Sequence, residues 1–264
     1  MFIIAVQRSY IEGNPVIPGK WQDYISDCDC IVNLVGETIG QRWNEEVKKR
    51  IKESRVIATK NLVSAIPSGK NITLMSTSAV GYYGFHEDEE IDETCPPGND
   101  FLANVAKEWE GEALKAKEKG VKVIITRFGL VIGEGGGLLE KLVPLFKSYV
   151  GGPIGSGNQW FSWIYIDDLI KAYLFLLNSK ELEGPFNLTS PNPVRNKEFT
   201  KALAKALGVF AIFPTPPLAI RLVMGEFAEY SIRGQKVVPK RLLQLGFKFE
   251  TPDIYEALKK VLEK

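Results

Sequence analysis

The stretch "CIVNLVGE" (30–37), with "RWNEEVKKRIKESRVIATKNLVSAI" (42–66) and "NITLMSTSAV" (71–80) after it, decides the reading of this chain. The first is an apolar run that stops at Gly36, as a buried strand does. In the second, Val47, Ile51, Ala58, Leu62 and Ala65 share one helical face, with Asn44 as N-cap and Glu45 and Glu46 in the first turn. The third is apolar again. The alternation continues through a helix over "DFLANVAKEWEGEALKAKEKG" (100–120), closed by Gly120, and a strand over "VKVIITRFGLVIG" (121–133). Strand and helix in this order predict a parallel sheet with crossover helices.

Outward from there the texture changes. Glycine-rich loops begin near 134, an apolar segment "FSWIYIDDLIKAYLFLL" joins a strand to a helix starting at Asp167 and Asp168, and helical stretches follow over 197–207 and 217–229. A basic segment and a last helix from Asp253 complete a smaller C-terminal subdomain. The carboxylates at 167 and 168 are explained by the helix dipole. Of Trp160 and Trp163, one is expected to pack in the core.

With 264 residues, 45% of them hydrophobic, the chain can bury a substantial core. Its 33 basic and 32 acidic side chains nearly cancel, which argues against nucleic acid or an anionic membrane as partner. Three unpaired cysteines, Cys28, Cys30 and Cys95, suit a reducing, cytoplasmic compartment. His86 is the sole histidine, so His-based triads and multi-His metal sites are excluded and no metal is expected. No apolar run approaches the ~20 residues of a membrane span, and no signal peptide is evident.

Ligands of open parallel sheets bind beyond the carboxyl ends of the strands. The opening strand, "MFIIAVQRS", ends at Gln7 and Arg8; if it meets the adenosine ribose, an arginine there suits a 2′-phosphate, and hence NADP(H). Leu34, Val35 and Gly36 close the next strand and allow a cofactor near the backbone. Ser76, Thr77 and Ser78, with Tyr82 and Tyr83 just beyond, offer hydroxyls to a substrate oxygen.

In this order, "NLVGETIGQRW" (33–43), "SAVGYYG" (78–84), "GGPIGSGNQWFSWIYIDDL" (151–169), "NLTSPNPVRNKEFTKALAKALG" (187–208) and "GQKVVPKRLLQLGF" (234–247) resemble one family along the whole chain. It is the extended short-chain dehydrogenase/reductases, in the atypical branch described as epimerase family proteins. The resemblance implies an α/β, Rossmann-like doubly wound parallel sheet with a small, mostly helical C-terminal subdomain. Residues 1–190 would bind NADP(H), with loops 134–163 on the substrate side, and 191–264 would form the substrate-side subdomain. Gln7 and Arg8 match the adenosine-phosphate position, Leu34 and Val35 a strand-end contact, and Leu130 the contact after "RFG". Arg50 and Arg55 match helix positions that can reach the cofactor, and Ser78 matches the substrate-polarising serine.

Two departures stand out. The family's Tyr-x-x-x-Lys pair falls near Leu102 and Ala106, neither of which moves a proton, leaving Tyr82, Tyr83 and Lys107 as titratable substitutes. The family's first strand, Gly-x-x-Gly-x-x-Gly turn and helix would precede "MFIIAVQRS", which therefore reads as a second strand. Three functions follow: an NADP(H)-dependent oxidoreductase or epimerase acting on a small or nucleotide-linked substrate, a non-catalytic NADP(H)-binding redox sensor, or an N-terminally shortened form with impaired cofactor binding. A homodimer is expected, as in related reductases.

Overall fold

The computed structural model describes residues 2–6, 9–179, 181–211 and 213–263. From the N-terminus it runs β1 (Phe2–Val6), β2 (Ser9–Gly13), β3 (Cys30–Asn33), α1 (Glu45–Ala65), β4 (Thr73–Ala79), β5 (Glu90–Ile91), α2 (Phe101–Leu114), β6 (Lys122–Phe128), β7 (Leu130–Ile132) and α3 (Gly137–Lys147). Then come β8 (Trp160–Phe161), β9 (Trp163–Tyr165), α4 (Ile166–Asn178), β10 (Gly184–Leu188), β11 (Val194–Arg195), α5 (Asn196–Leu207), α6 (Pro217–Met224), α7 (Glu229–Ile232), β12 (Lys236–Val237), α8 (Lys240–Gln244) and α9 (Ile254–Leu262).

Four strands form the parallel sheet, in the order β10-β6-β4-β3. They read as apolar runs because helices cover both faces. On one face Ile31, Leu74, Val123 and Ile125 pack against Leu62 of α1 and Ala113 of α2. On the other, Met75, Ile124 and Phe186 meet Leu169, Ala172 and Leu176 of α4. The helices begin where their caps dictate: the Asn44 side chain accepts from Val47 N at 2.8 Å, and that of Asp100 accepts from Leu102 N and Ala103 N. The register sets Asn33 beside Ser76 and Ala79 beside Phe128, so three strands finish along one edge.

A second core is drawn from the glycine-rich region and the C-terminal helices, where Ile132, Trp163, Phe199, Leu203 and Leu258 pack together. Trp163 is the buried member of the tryptophan pair, its indole N–H donating to Asn192 O. Asp168 is buried too, and its two carboxylate oxygens accept from Glu250 N and Thr251 N, each at 2.9 Å, clamping α4 to the approach of α9.

The structure departs from the sequence reading in two elements. The opening strand does not join the parallel sheet: β1 pairs antiparallel with β2, Phe2 opposite Gly13 and Val6 opposite Ser9. A hairpin needs only a short local connection, whereas a parallel pairing needs a crossover, and here the adjacent segment supplies the partner. Gln7 and Arg8 lie outside the described residues. The helix expected over 217–229 breaks at Gly225, whose φ of 61° and place against Trp43 O, 3.2 Å from where a Cβ would stand, suit only glycine.

Replacing Asp168 by alanine strands the buried N–H of Thr251 and removes the acceptor of the Glu250 N–H. The expected cost is about 2–3 kcal/mol, read as a lower urea midpoint with unchanged slope; an unchanged midpoint would show that the clamp carries no stability.

Candidate functional site

Beyond the ends of β3, β4 and β6 lie Leu34–Gly36, Val80–Tyr83 and Gly129–Leu130. Leu34 and Leu130 are exposed, and Val35 is half-buried. Below this edge the hydroxyls are already engaged. Ser76 Oγ accepts from Asn33 Nδ2 at 3.3 Å, and Thr77 Oγ1 lies 3.1 Å from Tyr173 Oη.

Ser78, expected to polarise a substrate oxygen, is buried, and its Oγ donates to Glu110 Oε1 at 2.6 Å. Glu110 in turn holds Arg127 by two bonds of 2.8 Å, Nε to Oε1 and Nη2 to Oε2, with both side chains buried. Burial works against the charge of Arg127, but the bonds and charge of Glu110 outweigh it and raise the guanidinium pKa. Arg127 Nη1 donates to Tyr83 Oη at 2.9 Å, and Tyr83 Oη donates to Asn187 Oδ1 at 2.7 Å. Asn187 N donates to Glu93 Oε1 and Asn187 Nδ2 to Val238 O. One buried chain thus links β4, α2, β6, β10 and the C-terminal part.

This placement corrects the reading of Tyr83 as a proton donor. It is fully buried, its hydroxyl is spent inside the network, and burial pushes its pKa up. Ser78 is likewise corrected: its one proton is committed to Glu110. Tyr82 is different. Half-buried, it lies edge-on to Tyr83 and under the Arg127 guanidinium, 3.5 Å from its ring centre, and its hydroxyl has no protein hydrogen bond among the described residues. Lys107 is exposed on α2.

The arginines of α1 differ as well. Arg50 is exposed and faces Glu46 at 2.9 Å and Glu37 at 3.8 Å. Arg55 is largely buried, bonds only the carbonyls of Ile51 and Glu37, each at 3.0 Å, and stacks on Trp109 at 5.4 Å. Among the described residues no carboxylate lies within ion-pairing distance, and desolvation pulls its pKa down to about 10. It presses on the strand end: a Cβ on Gly36 would stand 3.0 Å from Arg55 Cζ. An incompletely compensated guanidinium at a strand end is suited to an anion.

Two clefts open nearby. One, of about 740 Å³, is walled by Phe85, Trp160, Arg195 and Arg233, with Arg195 stacked 3.9 Å from the Trp160 ring. The other, of about 530 Å³, lies among Trp43, Phe101, Asp100, Arg221 and Tyr230. Here Tyr230 Oη donates to Asp100 Oδ1 at 2.8 Å and accepts from Leu102 N at 3.3 Å. A C-terminal phenol therefore stands against the backbone of a residue that resembles the family's tyrosine position. Burial, then the Asp100 carboxylate, raises its pKa. His86 leans on Glu89 and Tyr83 O, and no group able to hold a metal occurs among the described residues.

Residues 5–189 match the NAD dependent epimerase/dehydratase family. This chain belongs to that family. Residues 215–261 match a second family model, a domain of unknown function (DUF1731). The chain is 40% identical over 248 residues to the epimerase family protein SDR39U1 homolog, chloroplastic, of Arabidopsis thaliana, covering 92% of this chain and 71% of the relative. It superposes with a TM-score of 0.86 and 32% identity on human epimerase family protein SDR39U1 (isoform2), solved with NADPH, covering 94% of this chain and 89% of the other. A nucleoside-diphosphate sugar epimerase from Corynebacterium glutamicum gives a TM-score of 0.76 at 34% identity, covering 94% of this chain and 48% of that one.

Glu110, Asn187 and Tyr230 escaped the sequence reading. One signal was available: Arg127 is a lone charge at the end of the apolar run "VIIT", and a buried charge demands a partner. The raised phenols carry a consequence for stability. Unfolded tyrosines release their protons near pH ~10, while folded Tyr83 and Tyr230 retain theirs, so the native state binds more protons and stability falls as pH rises above ~10. Urea midpoints are expected to drop between pH ~9 and ~11, less steeply in Tyr83→Phe; equal slopes would place the Tyr83 phenol in water.

Proposed function

We propose that this chain is an NADP(H)-binding oxidoreductase or epimerase acting on a small or nucleotide-linked substrate in a reducing, cytoplasmic compartment, and that it works as a homodimer. The observation that carries the reading is Arg55: a guanidinium without a carboxylate partner among the described residues, held against Gly36 at the end of β3. Residues 1–190 would bind the cofactor, with loops 134–163 and the part over 191–264 on the substrate side. Leu34, Val35 and Leu130 would line the cofactor's flank, Arg55 and Arg50 would meet its phosphates, and Arg8, with Gln7, would meet the 2′-phosphate. Its relatives support this: the human protein was solved with NADPH, and the Corynebacterium protein is described as a nucleoside-diphosphate sugar epimerase.

When bound, the cofactor would supply hydride transfer to or from a substrate carbon. Tyr82, whose hydroxyl has no protein partner among the described residues, is the side chain that would hold or give a proton at the substrate oxygen. The buried Ser78–Glu110–Arg127 chain would keep Tyr82 in place through the guanidinium on its ring. A second reading, a redox sensor that binds NADP(H) without turnover, is favoured by Leu102 and Ala106 in the tyrosine and lysine positions. Stopped-flow absorbance with NADPH and a panel of carbonyl compounds separates the two, since a sensor leaves the cofactor reduced.

Isothermal titration is expected to give saturable NADPH binding, tighter than NADH. Arg55→Gln should weaken NADPH at least ~10-fold, about 1.4 kcal/mol, and Arg8→Ala should erase the preference over NADH. No saturation by NADPH would overturn the cofactor reading; unaltered affinity in Arg55→Gln would remove this residue from the site.

A further inference from the structure

The smaller of the two clefts, about 530 Å³, falls within the roughly 300–1,000 Å³ that takes a small organic ligand. Its walls are aromatic and come from four separate stretches of chain: Trp43 before α1, Phe85 beyond β4, Phe101 at the first residue of α2 and Tyr230 in α7. The rings touch one another. Trp43 lies edge-on to Phe101, 5.2 Å between ring centres, and 5.1 Å from Tyr230, which in turn lies 5.0 Å from Phe85. Trp43 is buried and the other three are half-buried. Rings that line an open cleft leave apolar surface in water, a cost that an apolar ligand would remove.

The charged groups of the walls decide what can enter. Asp100, Glu226 and Glu229 line the cleft with a single guanidinium, Arg221, which lies 3.4 Å from Glu229. The cations just outside are engaged: Lys48 bridges Glu45 and Glu226, Arg233 faces Glu229 at 3.3 Å, and Arg42 donates to the Leu222 carbonyl. Three carboxylates against one paired guanidinium disfavour a diphosphate, which is held by free cations or by the N–H groups of a helix start. The start of α2 offers none of the latter at Leu102 and Ala103, whose N–H groups both donate to Asp100 Oδ1. The cleft also adjoins the turn that carries Tyr82. Gly98 N donates to Tyr82 O at 2.9 Å, and a Cβ on Gly84 would stand 2.9 Å from Asp100 Oδ2.

We infer that this cleft seats an uncharged aromatic or alicyclic group of the substrate, so that the substrate is an apolar carbonyl compound or alcohol and not a nucleoside-diphosphate sugar. The inference narrows the substrate of the proposed function and rests on that reading for the chemistry, while the seating itself is read by binding alone. Saturation-transfer NMR on the full chain is the test, with 4-phenylbutan-2-one as probe, UDP-glucose as competitor and NADPH present throughout. The phenyl protons are expected to receive saturation from the protein, with a dissociation constant near or below ~1 mM, as suits so small a ligand. UDP-glucose should not displace the probe. Phe101→Glu should weaken the probe at least ~10-fold with an unchanged circular dichroism spectrum. Phe101→Leu, which keeps an apolar side chain in the wall and removes only the ring, should weaken it ~3-fold. Displacement of the probe by UDP-glucose overturns the inference, as does a probe that receives no saturation or binds equally well to both Phe101 variants. NADPH absorbance is followed separately. A probe that binds at this cleft while no carbonyl compound oxidises NADPH supports the seating and contradicts the enzyme reading.

Discussion

The rest of the structure is arranged around a charge that cannot be left alone. Arg127 is the penultimate residue of β6 and follows the buried run Val123–Thr126, so its guanidinium enters the protein with almost no solvent to meet it. A buried cation of this kind is tolerated only with a partner and with its remaining protons bonded. Glu110 supplies the partner from α2, and Tyr83 takes a third N–H bond from just beyond β4. Each is then fixed in turn, Glu110 by Ser78 and Tyr83 by Asn187. Satisfying one arginine therefore ties the ends of three parallel strands and the covering helix to a single geometry.

That requirement divides the strand edge into two kinds of residue. The inner ones, Ser78, Tyr83, Glu110 and Arg127, have spent their polar capacity on one another and act as a rigid floor. The outer ones, Leu34, Gly36, Arg55, Tyr82 and Leu130, keep exposed surface or unused polar capacity. The same network reaches the C-terminal part, since Asn187 also donates to Val238 O, and Glu93 accepts from both Asn187 N and Arg241 N. The two parts of the molecule thus share buried polar bonds, which fix the C-terminal part to the strand ends.

Much of the sheet was legible in the sequence because its determinants are local. The Asn44 cap, the apolar spacing of α1, the Asp100 start of α2 and the left-handed Gly120 that closes the 3-10 turn after α2 all lie within a few residues of the structure they specify. The site was less legible. Ser78 and Glu110 are 32 residues apart, and Tyr83 and Asn187 104 apart, so no periodicity couples them. Strand-end hydroxyls look alike in sequence whether they face a ligand or a buried carboxylate, which is why Ser78 and Tyr83 read as reactive groups. The hairpin of β1 and β2 was missed for a related reason: an apolar run declares a strand but not its partner, and a neighbouring segment competes with a distant one at lower entropic cost.

A double-mutant cycle on Glu110 and Arg127, followed by urea unfolding, tests the central claim most directly. Glu110→Leu and Arg127→Met each leave a buried charge unpaired and are expected to cost about 3–5 kcal/mol. The double variant removes both charges and should be more stable than the sum of the two losses implies, by 2 kcal/mol or more, in the range of strongly coupled neighbours. Additive losses, or single variants that cost under ~1 kcal/mol as exposed pairs do, would contradict the account by showing that the strand ends do not depend on this pair.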